Sequence, residues 1–216
     1  VRTIGRDGEH ELEIRRSRFL CALRRVRTEE EARAFIAERR RLHGTATHNC
    51  TAYVLGADGG VQRSNDDGEP SGTAGMPMLE VLRRRELTEV AAVVTRYFGG
   101  VKLGAGGLVR AYGGAVSAAL DKVGLLELRR VLLVAVTADY ADAGRLESTL
   151  RASRFEVVDT DYGGAGLTVA AAVAEPELDA FASWLAESVG GRARWAVTGS
   201  AVRERPAEED GRLSPG

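Results

Sequence analysis

Cysteine is scarce in this chain of 216 residues: Cys21 and Cys50 are the only two, too few for a disulfide-stapled secreted scaffold. The opening VRTIGRDGEHE has no apolar stretch of the kind a signal peptide carries, so no leader is expected there. Long hydrophobic runs are missing too. The longest, such as VLLVAV at 131–136, fall far short of the ~20 residues a spanning helix needs, and the expectation is a cytoplasmic protein with no membrane partner. An excess of one charge is also absent. Lys+Arg 30 against Asp+Glu 31 leaves a formal charge of −1, which removes the global basicity that would by itself point to nucleic acid, so any polyanion site has to be local. What remains, 44% hydrophobic and 28% charged residues, is ordinary for a folded protein. The length suits two small domains, each with its own core.

The pattern along the chain supports that division. ELEIRRSRFLCALRRV (11–26) has strand-forming residues mixed with arginine, and Thr28 and Glu31 form a capping box that opens an amphipathic helix with Ala32, Phe35, Ile36 and Leu42 at helical spacing. HNCTAYVLG (48–56) reads as a strand turned at 57–60, SNDDGEPSGTAG as a loop, and Met76–Arg85 as a short helix. VAAVVTRYF (90–98) is β-branched enough for a buried strand, and a helix from about Leu108 to Val123 places Leu108, Tyr112, Val116 and Leu120 on one face. After Leu126 the order is strand, helix, two strands across Gly163-Gly164, helix and strand. The first helix there carries a stripe of Ala143, Leu146 and Leu150, the second one of Leu178, Phe181, Leu185 and Val189. That is the split βαβ, ferredoxin-like arrangement. The expectation is an α+β fold with domains at 1–127 and 128–201, and a disordered tail at 202–216, where apolar residues are few.

Two stretches are unusual. RYFGGVKLGAGGLVRAYGG (96–114) leads glycines into a helix. A helix start offers free N–H groups and the positive end of the macrodipole, both favourable to an anion. Arg96, Lys102, Gly104, Ala105, Gly106, Gly107 and Arg110 therefore form a candidate phosphate or RNA site. No specific nucleotide motif is present, because Gly104-Ala105-Gly106 stands where a Walker loop needs Gly-Lys-Ser/Thr. The bland reading is packing alone, with Gly113 and Gly114 admitting another backbone closely enough to offset about 1 kcal/mol each. In the acidic loop, Asp66, Asp67 and Glu69 have the oxygen ligands of a hard-cation site, but Asp-Gly and Glu-Pro are turn chemistry, and no metal or other cofactor is expected. His48 and Cys50 share a strand face, where a thiolate pair competes with a plain core cysteine. His43 would join them as a third metal ligand only if the chain doubled back.

SNDDGEPSGTAGMP followed by VTRYFGGVKLGAGGLVRAYGG, with RSRFLC and ATHNCTAYVLG before them, resembles the IMPACT/YigZ family (UPF0029) over roughly residues 10–125. The resemblance implies a ribosomal protein S5 domain 2-like fold for the N-terminal domain, with a smaller ferredoxin-like domain after it. Together these are similar to consecutive domains near the C-terminus of the translocation factor EF-G. Eukaryotic members regulate translation with an added RWD domain, for which there is no room here, so that activity is not expected to transfer. Three functions follow as expectations. The first is a non-enzymatic protein that binds RNA or a ribosomal surface. The second is a Mg-dependent enzyme acting on a phosphorylated small molecule, because the S5-like fold also builds part of the galactokinase/homoserine kinase group. The third is a protein-interaction module or homo-oligomer using Trp184 or Trp195.

Overall fold

The structure, a computed structural model, describes residues 1–164 and 166–207. It divides into two compact units, Val1–Glu127 with the chain returning from Arg205, and Leu128–Glu204.

The first unit is built on strands β2 (Gly8–Ile14), β3 (Ser17–Arg25), β4 (His48–Leu55), β5 (Val61–Asn65) and β6 (Val90–Tyr97), in the spatial order β2-β3-β6-β4-β5. All four pairings are antiparallel. Helix α1 (Glu29–Leu42) covers one face, packing Ala32 and Phe35 on Ala22, Tyr53, Ala91 and Val93. Helices α2 (Gly75–Arg84) and α3 (Ala105–Val123) cover the other, closing over Phe19, Cys21, Cys50, Ala92 and Val94. β6 is thus covered on both faces, which is why VAAVV runs apolar without alternation. A short strand β1 (Arg2–Ile4) pairs with residues 125–127.

The Thr28 cap forms as the sequence predicts: its Oγ1 accepts from the Glu31 amide at 3.1 Å, while the Glu31 carboxylate reaches back to the amide of Arg27 at 2.6 Å. The segment 11–26 holds parts of two strands with a turn between them. The turn residues Arg15 and Arg16 have φ of 48° and 66°, a two-residue hairpin of the type that normally signals itself as Asn-Gly. α3 begins at Ala105, three residues before the predicted start at Leu108, because its first turn is glycine-rich and carries no apolar signal.

In the second unit, β7 (Leu125–Ala138) is followed by α4 (Tyr140–Arg151), the hairpin of β8 (Glu156–Gly163) and β9 (Gly166–Ala174), a single 3-10 turn at Glu175–Glu177, α5 (Leu178–Val189) and β10 (Arg194–Pro206). The strands lie in the order β10-β7-β9-β8. Ala143, Leu146 and Leu150 of α4 and Phe181, Leu185 and Val189 of α5 are buried against Val134, Val136, Val169 and Val173. Gly190 ends α5 at φ 65°, as a left-handed cap requires.

The tail expectation is corrected at residues 202–206, which belong to β10. The Ala207 amide beyond them donates to the Leu125 carbonyl at 3.0 Å. A strand is held by its backbone ladder, so low apolar content did not prevent pairing. The remainder of the expected tail, 208–216, lies outside the described residues.

Candidate functional site

The two unusual stretches meet inside the first unit. On β6, Val90, Ala92, Val94 and Arg96 share one face by the period of two, so Arg96 points beneath α3. Its Nη1 donates to Glu69 Oε1 at 2.6 Å, and Tyr112 Oη donates to the same oxygen at 2.7 Å. The guanidinium carbon lies 5.4 Å from the ring centroids of both Phe19 and Phe98. Arg96 and Glu69 are only 5% and 8% exposed. Arg96 is therefore committed to the interior, whereas the sequence reading set it beside phosphate.

The acidic loop folds around this pair, and its carboxylates point to different partners. Asp66 accepts from the amides of Gly72 (2.8 Å), Ala74 (3.1 Å) and Gly75 (2.8 Å), closing the start of α2. Burial works against its charge, but those three donors outweigh it and hold the carboxyl below its usual range. Asp67 accepts from the Asn49 amide at 2.6 Å and from Arg40 at 2.9 Å. Among the described residues no group of three or more His, Cys, Asp or Glu side chains is placed to hold a metal ion.

The histidines and cysteines are likewise engaged. His48 Nδ1 lies 2.8 Å from the Asp67 carbonyl, which can only accept, so that nitrogen carries the proton. Cys50 Sγ donates to the Asp66 carbonyl at 3.0 Å, and burial pushes its thiol up to about 12. It is a core cysteine with no thiolate character. His43 accepts from Arg39 at Nε2 and donates from Nδ1 to Tyr97 Oη, both at 2.9 Å, well occupied for a supposed metal ligand.

The start of α3 is different. Gly104 caps it at φ 73° with no side-chain acceptor, and the first amide with a helical partner is that of Leu108, bonded to the Gly104 carbonyl at 2.9 Å. The amides of Ala105, Gly106 and Gly107 have no partner among the described residues, and Gly104, Ala105 and Gly106 are exposed. Lys102 and Arg110 are exposed, with no ion pair or hydrogen bond among the described residues. The Arg110 Nη1 stands 3.7 Å from where a Cβ on Gly106 would lie, so its charge folds back over the helix start.

Sequence reasoning missed two contributions. The Arg15–Arg16 turn abuts Gly99, where a Cβ would come within 1.9 Å of the Arg16 carbonyl oxygen. That contact brings two more exposed arginines, with no ion pair or hydrogen bond among the described residues, to the segment leading into Lys102. Phe98 is 47% exposed next to them. The signal was present as two adjacent arginines followed by Ser17, but the hairpin that carries them to Gly99 was not legible.

Fold and site together define a two-unit α+β protein whose acidic and glycine-rich stretches build one interlocked core, leaving a bare helix start beside free cations. The family model of the Impact N-terminal domain matches residues 15–120, and that of a domain of unknown function, DUF1949, matches residues 136–192. The chain is 48% identical over 190 residues to the IMPACT family member YvyE of Bacillus subtilis, spanning 88% of this chain and 87% of that one. It is 39% identical over 152 residues to the IMPACT family member YigZ of Escherichia coli, covering 69% and 74%. A solved crystal structure of a hypothetical protein superposes with a TM-score of 0.58 at 33% identity, over 91% of this chain and 96% of that one. The chain belongs to the IMPACT family. Among its described residues, no helix is long and apolar enough to cross a membrane.

Proposed function

We propose that this chain is a non-enzymatic, cytoplasmic protein that binds RNA, free or on a ribosomal surface, and modulates translation. The observation that carries the reading is the row of amides at Ala105, Gly106 and Gly107, without partners among the described residues, beside the exposed Lys102 and Arg110. A helix start of this kind favours phosphate oxygens, and the two cations add charge-assisted contacts. Arg15 and Arg16, beside the exposed Phe98, extend the positive surface. We read the first unit as S5 domain 2-like. The second we read as ferredoxin-like, an assignment supported by its βαββαβ order and its strand order β10-β7-β9-β8. The likeness of such a pair to domains of a translocation factor favours the ribosome as the setting.

Fluorescence anisotropy with single-stranded RNA tests the site. If about three phosphates are neutralised, log affinity falls with log salt with a slope of about −2. Reversing charge at both Lys102 and Arg110 should weaken binding and flatten that slope. Unchanged binding and slope would reject the site.

A second reading, pairing with another copy or with a protein partner, is favoured by one observation on β10: Trp195, Val197 and Val202 are 40%, 44% and 57% exposed. Trp184 packs against the rings of Phe155 and Phe181, and Trp195 meets Phe181 edge-on at 6.5 Å. Light scattering on the eluting protein distinguishes a monomer from a dimer. For the magnesium-enzyme reading no such observation speaks: Asp66, Asp67 and Glu69 accept from separate protein donors.

A further inference from the structure

Between α2 and α3 lies an open groove of about 540 Å³ that nothing above employs. Gly113 and Gly114 line it together with Met76, Val81 and Val109, and Arg84 and Arg110 line it too.

The two glycines are the puzzle, because each costs a helix interior about 1 kcal/mol relative to alanine. Packing within the chain does not require them. A Cβ on Gly114 would meet nothing within 4 Å, and one on Gly113 would find Val81 Cγ2 at 3.6 Å and the Pro77 carbonyl oxygen at 3.7 Å, both ordinary contacts. What the pair does is keep the groove deep. Met76 and Val109 line it with apolar surface that is 45% and 41% exposed. Of its charged lining, Glu80 pairs with Arg83 at 3.1 Å, whereas Arg84 and Arg110 are exposed and have no partner among the described residues, leaving a cationic excess.

We infer that this groove receives a nucleobase of the same RNA strand whose phosphate sits at the start of α3, with Arg110 shared between the two. The inference rests on the RNA reading above and names what that reading leaves open, where the base goes. From Gly107 to Gly113 the helix rises about 9 Å, so phosphate and base positions lie along one short track. Apolar walls and guanidinium planes accept the flat face of any base, and the two lining arginines complement the flanking phosphates.

The test compares a labelled short oligoadenylate with an abasic ribose-phosphate strand of the same length, both by anisotropy. Wild-type protein should bind the oligoadenylate roughly tenfold more tightly, the gain of about one stacked base. Gly114→Leu fills the groove from a position where a Cβ meets nothing within 4 Å and should bring that ratio toward one, with circular dichroism melting confirming that the variant is folded. Lys102→Glu should weaken both strands and leave the ratio. If Gly114→Leu keeps the full ratio while Lys102→Glu weakens binding, the groove inference falls and the phosphate site stands. That is also the result expected if the groove serves a protein helix. If wild-type protein binds neither strand, both ideas fall.

Discussion

The Arg96 guanidinium and the Glu69 carboxylate, brought together from the two unusual stretches of the sequence, form a 2.6 Å ion pair that is almost wholly out of water. Desolvating two charges is costly, and the pair persists because Tyr112 Oη adds a second donor to the same carboxylate oxygen. Removing one partner leaves the other charge stranded. Glu69→Ala is expected to destabilise the first unit by about 3–5 kcal/mol, read from urea unfolding. Replacing both residues by Leu and Met should cost less than the two single changes added together. A Glu69→Ala midpoint equal to that of the wild type would show that the pair does not hold the loop.

Glycines of the same stretch should respond in opposite directions. A Cβ on Gly99 would lie 1.9 Å from the Arg16 carbonyl oxygen, backbone against backbone, so the β2–β3 turn would have to move. Gly99→Ala is expected to cost about 1–3 kcal/mol, as overpacking does. Gly114→Ala enters open space in mid-helix and should gain up to about 1 kcal/mol. Thermal melts of the two variants check the signs, and a stabilised Gly99→Ala would contradict the close approach.

Much of the architecture was legible because local signals agreed with the fold. The Thr28 cap, the Leu146 and Leu150 stripe of α4 and the Gly190 stop of α5 are each set by neighbours a few residues away. What escaped depended on distant partners. The Arg15–Arg16 turn lacks the usual Asn-Gly, and residues 202–206 were taken into β10 by pairing with β7. The role of Arg96 could not be read either, because a buried cation and a phosphate-binding one look alike until Glu69 and Tyr112 are seen beneath it. Lys102, Arg110 and the amides after Gly104 lie at the start of α3, three residues earlier in the chain than the start predicted from the sequence pattern.

Acid should loosen the join between the acidic loop and α2. The Asp66 carboxyl is held below its usual 3.8 in the folded chain by the amides of Gly72, Gly75 and Ala74, against the opposing effect of burial. A carboxyl depressed on folding contributes stability that is fully present above the unfolded value and is lost as pH falls through the folded one. Asp66→Asn should therefore be clearly less stable than wild type at neutral pH, with the difference shrinking below about pH 4. Urea midpoints taken from pH 7 downward measure it, and a gap that stays constant to the lowest pH would mean that the charge of Asp66 is not what the amides recognise.

Both cysteines should be silent in the native protein. Cys21 and Cys50 are free and fully buried. Burial raises the Cys21 thiol well above its ordinary range and pushes Cys50 up to about 12. Thiolate, the reactive form, is then negligible at pH 8, and the reagent has no path to either sulfur. A disulfide-exchange reagent should label neither residue until denaturant is added, and then both. Because Cys50 lies on β4 beneath the Asp66 carbonyl and Cys21 on β3, the two labelling rates report separate openings. Glu69→Ala, which frees the loop over Cys50, should speed Cys50 more than Cys21, and equal acceleration of both would mean that the unit opens only as a whole.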